Sequence, residues 1–123
     1  MGLVTPLGND TPTTWAALLA GRSGVGPITR FDTSGFKTHF AAEVKDFDPT
    51  HYVDKQVARR MDPFLHFAVA ACNEALADAC FDMAQWDPRR VGAIIGSGIG
   101  GVQTIIENQR ALLERGPRRV SPF

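Results

Sequence analysis

A short apolar run that ends in a glycine-rich turn limits what this chain can fold into more than any other feature. Val91-Gly92-Ala93-Ile94-Ile95 is followed at once by Gly96-Ser97-Gly98-Ile99-Gly100-Gly101. An unbroken apolar run of this length fits a strand covered on both faces. Glycines directly after it let the backbone turn sharply and let another surface come close. A helix is predicted next, from Val102 to about Arg115. Its inner face would carry Val102, Ile105, Ile106, Gln109, Leu112 and Leu113, and Gly116-Pro117 stops it. Buried strand, tight turn and helix together make an α/β unit.

The rest of the chain extends that pattern. Residues 1–9 are short, apolar and turn-rich, like the tail of a strand entering a loop at Pro6 and Gly8. Thr11 can cap a helix that starts at Pro12, presents Trp15, Leu18 and Leu19 on one face and ends at Gly21. Residues 22–37 read as loop. Residues 38–45 alternate, with Thr38, Phe40, Ala42 and Val44 on one side and His39, Glu43 and Lys45 on the other, which predicts a half-buried strand. Asp48-Pro49 opens a short polar helical segment to about Arg60. Asp62-Pro63 opens a stronger helix to about Cys80, with its apolar line at Leu65, Val69, Cys72, Leu76 and Ala79. The alanines between them keep the remaining surface small, as in a helix packed on most sides. Strand and helix alternate three times with no repeat and no linker, so residues 1–123 read as a single partial α/β domain.

Charge and cysteine usage exclude several functions. Thirteen basic residues balance thirteen acidic ones, so net charge offers no attraction to nucleic acid. Two cysteines make no disulfide framework, which points to a reducing compartment. No apolar run is long enough for a membrane span, and no signal peptide is visible, so a cytoplasmic location is expected. His39, His51 and His66 lack the spacing of a metal site. A catalytic thiol needs an activating base or a helix N-terminus. Cys72 and Cys80 have neither and are expected to be small buried hydrophobes.

Gly96, Gly98 and Gly101 satisfy the spacing of a dinucleotide-binding turn. Such a site also needs an acidic residue after a second strand, about 20 residues on. Position 121 is Ser121, and the plain reading is a tightly packed strand-to-helix turn.

At this loop the chain resembles a known family. RVGAIIGSGIGGVQTIIENQRALLERGPRRVSPF is similar to the matching stretch of β-ketoacyl-acyl-carrier-protein synthases of the type II kind. VTPLGN, TWAALLAGRSGV, ITRFDTSGF, AAEVKDFDP and ARRMDPFLHFAVAAC agree in the same order. The resemblance implies a thiolase-like fold of layered α/β/α type, of which this chain is the N-terminal portion. It implies elongation of an acyl chain by decarboxylative Claisen condensation. A cysteine takes the acyl group as a thioester, and two histidines promote malonyl decarboxylation. The family's cysteine lies beyond the Ser121-Pro122-Phe123 motif and its histidines lie further on. No catalytic residue, metal or cofactor is therefore expected in this chain, which alone should be inactive.

Site residues follow from the same resemblance. The counterpart of Ile99 lines the acyl pocket, whereas on pattern alone Ile99 is ordinary core. The positions matching Arg59, Arg60, Arg118 and Arg119 belong to the docking surface for the acidic carrier protein. Gln56 departs from the family, whose members often carry lysine there, and Lys55 stands beside it. On pattern alone these basic residues are a solvated surface. Expected partners are an acyl carrier protein, acyl and malonyl thioesters and, at full length, a second copy of the protein. A non-catalytic partner subunit of a polyketide system is the alternative. Parallel strands lacking their neighbours should give poor stability in isolation.

Overall fold

The computed structural model describes residues 1–121. Contacts divide the chain into two units. One comprises residues 1–48 and 70–82, the other residues 49–69 and 83 onward.

In the first unit, helix α1 spans Thr11–Leu19, and strands β1 (Val25–Pro27) and β2 (Phe40–Ala42) follow. Helix α3 (Pro63–Asp78) contributes its second half. The α1 cap is Asp10, not Thr11: its Oδ1 accepts the Thr13 N–H at 2.6 Å. Thr11 is drawn into the helix, and its own N–H goes to Glu74 Oε1 at 2.7 Å. Hydrogen bonds from the Thr13 side chain and backbone hold the Asp10 carboxyl below its ordinary range. Thr14 and Ala17 form the buried face of α1, at 3% and 1% exposure. The predicted face of Trp15, Leu18 and Leu19 is open instead, because among the described residues nothing covers it.

The VTPLGN segment is locked onto α1. Thr5 and Gly8 exchange two backbone hydrogen bonds around Pro6-Leu7, at 2.8 and 3.2 Å. The Thr14 hydroxyl bonds the Gly8 carbonyl at 3.2 Å and meets Thr5 Oγ1 at 3.0 Å. Asn9 Nδ2 donates to the Lys45 carbonyl at 2.9 Å, tying this turn to the stretch after β2.

Glu74 does more than any other side chain to hold this unit. Its Oε2 accepts the Leu3 N–H at 2.8 Å while Oε1 takes Thr11, so one carboxylate joins the N-terminal segment and the start of α1 to α3. Burial pushes the Glu74 carboxyl up, but the N–H donors of Thr11 and Leu3 outweigh it and the net shift is downward. The small surface of α3 is used at the same place. A Cβ on Gly2 would fall on the Ala71 carbonyl and crowd the Ala75 nitrogen.

Strands β1 and β2 pair antiparallel, Val25 opposite Ala42 and Pro27 opposite Phe40. Part of the predicted loop is thus a strand. Its Gly26-Pro27 reads as turn chemistry, but proline is tolerated on a two-stranded ribbon whose outer edge needs no donor. Phe40, on the side predicted to be covered, is 62% exposed.

The second unit holds a 3₁₀ turn at Pro49–His51, helix α2 (Lys55–Ala58), the first half of α3, 3₁₀ turns at Met83–Gln85 and Pro88–Arg90, helix α4 (Val102–Arg115) and a last 3₁₀ turn at Pro117–Arg119. The strand expected at 91–95 is not formed. Among the described residues no strand pairs with it, and Ile94 is 98% exposed. A strand exists only where a neighbour fills its backbone bonds. The predicted inner face of α4 is open for the same reason, with Val102, Ile105, Ile106, Leu112 and Leu113 all exposed. The cysteines also differ from expectation. Cys72 is exposed on α3, and Cys80 is exposed just past its end at a left-handed φ of 49°.

The chain exposes 9811 Å² in all. Two separate folded bodies of half its mass would together expose roughly 8,000 Å². The excess is consistent with apolar faces that the described residues leave uncovered.

Two outcomes test the first unit. Gly2→Val should destabilise it by about 1–3 kcal/mol, measured by denaturant unfolding, because the side chain must displace the α3 backbone. Glu74→Ala should cost about 2 kcal/mol through two lost charge-assisted hydrogen bonds. Because its folded pKa is depressed, the Glu74 contribution is fully present above the ordinary value of 4.5 and is lost as pH falls through the folded value. Amide exchange at Leu3 and Thr11 should rise across that acid window in wild type and be pH-flat there in Glu74→Ala, once the intrinsic pH dependence of exchange is removed.

Candidate docking cleft and glycine turn

All of the site residues expected from the sequence fall in the second unit. Asp54 caps α2 through the Gln56 N–H at 2.7 Å. Ala58, at the end of α2, is 7% exposed. Its carbonyl accepts from His66 Nε2 at 2.9 Å, which ties the end of α2 to the first turn of α3 and fixes the proton on Nε2. His66 is therefore a structural tie. Arg59 and Arg60 follow this anchored point, both exposed. Lys55 lies one turn earlier on the same helix, also exposed.

Arg59 and Arg60 border a cleft of ≈ 190 Å³ together with Thr104, Glu107, Asn108 and Ser121. Asn108 of α4 holds Ser121 on both sides of its peptide. Its Oδ1 accepts the Ser121 N–H at 2.9 Å and its Nδ2 donates to the Ser121 carbonyl at 3.4 Å. The segment carrying Arg118 and Arg119 is thus returned along α4 to the cleft that Arg59 and Arg60 border. Arg118 and Arg119 are exposed in the 3₁₀ turn just before Ser121 and do not line the cleft. Pro122 and Phe123 of the Ser-Pro-Phe motif lie outside the described residues.

Ile99 stands in the glycine turn, 75% exposed, so the pocket wall expected of it is not closed by the described residues. The turn itself is held at two points. Ser97 Oγ accepts the Gly100 N–H at 2.9 Å, and Gly100 takes φ 71°, which glycine adopts without strain. At its exit the Asp62 carboxylate lies against Gly101, where a Cβ would land on Asp62 Oδ2. Asp62 Oδ1 accepts from Thr104 Oγ1 at 2.9 Å. Gly101 gives α4 no side-chain cap, so Asp62 supplies an anion at the positive end of the helix. The dinucleotide reading loses its setting, because the run before the turn joins no ladder.

Asp62, Asn108 and Glu74 were not singled out from the sequence. Asp62-Pro63 reads as the opening of α3, and its carbonyl does accept from Leu65 at 2.9 Å. The reach of its side chain to α4 follows from tertiary packing that no local spacing encodes. Among the described residues no cluster of His, Cys, Asp or Glu could hold a metal ion, and no helix is long and apolar enough to cross a membrane.

Residues 1–123 match the family profile for the β-ketoacyl synthase N-terminal domain. The chain belongs to the β-ketoacyl synthase family. It is 50% identical over 123 residues to the 3-oxoacyl-[acyl-carrier-protein] synthase 2 of Coxiella burnetii and 46% identical to that of Synechocystis. In both cases the match covers 100% of this chain and 30% of the relative. Among solved structures, the ishigamide ketosynthase/chain length factor superposes with a TM-score of 0.81 at 33% identity, covering 98% of this chain and 30% of that one. A type II polyketide ketosynthase in complex with its acyl carrier protein gives a TM-score of 0.73 at 24% identity, over 98% of this chain and 31% of that one, which speaks to the fold alone. The layered α/β reading therefore stands as part of the ketosynthase fold. This chain spans about 30% of the length of the curated relatives it matches.

Proposed function

We propose that this chain is the N-terminal part of a 3-oxoacyl-[acyl-carrier-protein] synthase acting in fatty acid biosynthesis. The supporting observation is a match 46–50% identical over all 123 residues of this chain to proteins bearing that name. The reaction joins an enzyme-bound acyl thioester to a malonyl thioester on the carrier protein. The malonyl carboxylate leaves as carbon dioxide, the resulting enolate forms the new carbon–carbon bond, and the enzyme thiolate departs. The nucleophilic cysteine and the two histidines are supplied by sequence beyond this chain. The working enzyme is a cytoplasmic homodimer. An intact enzyme that released no carbon dioxide from malonyl-carrier protein and formed no 3-oxoacyl product would overturn this reading.

Within that enzyme, Lys55, Arg59, Arg60, Arg118 and Arg119 form a basic surface for the carrier protein. Two features favour it: Arg59 and Arg60 share a cleft edge, and Asn108 draws the Arg118-Arg119 segment toward the same cleft. Complementary charge speeds such an encounter and fades with salt. Arg59→Glu with Arg60→Glu should raise KM for carrier-bound substrate about tenfold or more at low ionic strength and much less at high. An unchanged KM at low salt sinks this surface.

Ile99 forms part of the acyl-pocket wall in the same reading. Its exposed side chain at a glycine turn is what a wall residue looks like before its opposite face is in place. Ile99→Phe should lower kcat/KM for long acyl chains about tenfold relative to short ones. An unaltered preference rules this role out. The ishigamide structure, whose name includes a chain length factor, keeps a second reading in view: a non-catalytic partner subunit of a polyketide system. The residue at the family's nucleophile position separates the two, cysteine for the synthase and its replacement for the partner.

A further inference from the structure

The geometry points to Asp62 as a positioning residue that sets where the Ile99 turn stands, from the same short segment that carries Arg59 and Arg60. Asp62 follows Met61 directly, and Met61 and Arg60 are held to the end of α2 by backbone bonds to Ala58 and Val57 at 3.2 and 2.9 Å. Its carbonyl starts α3 through Leu65. Its carboxylate leaves α3 and lies at the start of α4, bonded to Thr104 and pressed on Gly101. The first N–H groups of a helix have no intrahelical partner, and an anion placed there fixes the helix entry. Gly101 offers no cap of its own, so the entry of α4 is set by a residue from outside the turn. Ile99 lies two residues before Gly101, inside a loop that the Ser97 hydroxyl closes on the Gly100 N–H.

Met61, the Asp62 carboxylate, Gly101 and Gly100 thus connect the proposed docking residue Arg60 to the proposed pocket residue Ile99. Gly101 is glycine because the carboxylate occupies the space a side chain would take. This inference rests on the proposed role of Ile99 for its effect on substrate choice, whereas the control of the turn can be read without it.

The test uses the intact synthase with Asp62→Ala, Thr104→Val and the double variant. Thr104→Val removes only the hydroxyl and guards against loss of fold in Asp62→Ala. Two quantities are measured: amide exchange from Gly98 to Thr104, and the ratio of kcat/KM for long over short acyl-carrier substrates. Each single variant should speed exchange in the turn about fivefold. Each should also shift the acyl ratio about threefold or more, with the double variant no worse than Asp62→Ala because the Thr104 hydroxyl acts through the Asp62 carboxylate. Unchanged exchange in both single variants overturns the proposal, as does a double variant whose effects simply add. A faster-exchanging turn together with an unchanged acyl ratio in both Asp62→Ala and Ile99→Phe supports control of the turn and places the failure in the pocket role of Ile99.

Discussion

Backbone groups from Gly92 to Gly96 meet no hydrogen-bond partner among the described residues, and much of the second unit depends on that fact. A peptide group is not left bare in a dry interior, so this stretch can become interior only beside other strands. Until it does, Ile94 stays almost wholly exposed and Ile95 half exposed, and among the described residues α4 has no sheet on which to lay its apolar side. The helix forms nonetheless, because its requirements are met within the unit: an anion from Asp62 at its start, the Gly116 N–H returned to the Leu112 carbonyl at its end, and Asn108, at its middle, fastened to Ser121. The helix is thus settled within the unit, whereas the packing of its apolar side is not.

The first unit is organised by polar side chains more than by an oily centre. Its well-buried residues are Thr14, Ala17 and Ala70, which are too small to give much hydrophobic stabilisation. Hydrogen bonds carry more of the work. Glu74 collects two backbone donors from separate segments, Thr14 joins α1 to the Thr5–Gly8 turn, and Asn9 reaches the stretch after β2. Such a unit is sensitive to acid at Glu74 and to added bulk at Gly2, and tolerant of change at its bare aromatic residues.

Local signals in the sequence were legible. The approximate starts of α1 and α3 and the glycine turn before α4 follow from prolines, glycines and apolar spacing within a few residues, although the α1 cap is Asp10 and not Thr11. Cooperative signals were not. Val91–Ile95 has the composition of a covered strand, but a ladder belongs to two strands and only one is described. Trp15, Leu18 and Leu113 read as inward-facing for the same reason. The side chains of Asp62, Glu74 and Asn108 act across long sequence separations, and spacing cannot show that. The basic site residues were legible only through resemblance, since exposed arginines have no pattern of their own.

The bare stretch also bears on how the isolated chain behaves at concentration. Between Arg90 and Glu107 there is neither a charge nor a proline. Val91–Ile95, β-branched at both ends and exposed from Gly92 to Ile95, is the kind of segment that stacks in register with copies of itself into cross-β fibrils. In an assembled sheet the same peptide groups would be capped by neighbours and that route closed. Left unpaired, they make ordered self-assembly the chief competitor of folding, with charge repulsion from the flanking Arg89 and Arg90 as the nearest natural gatekeeper.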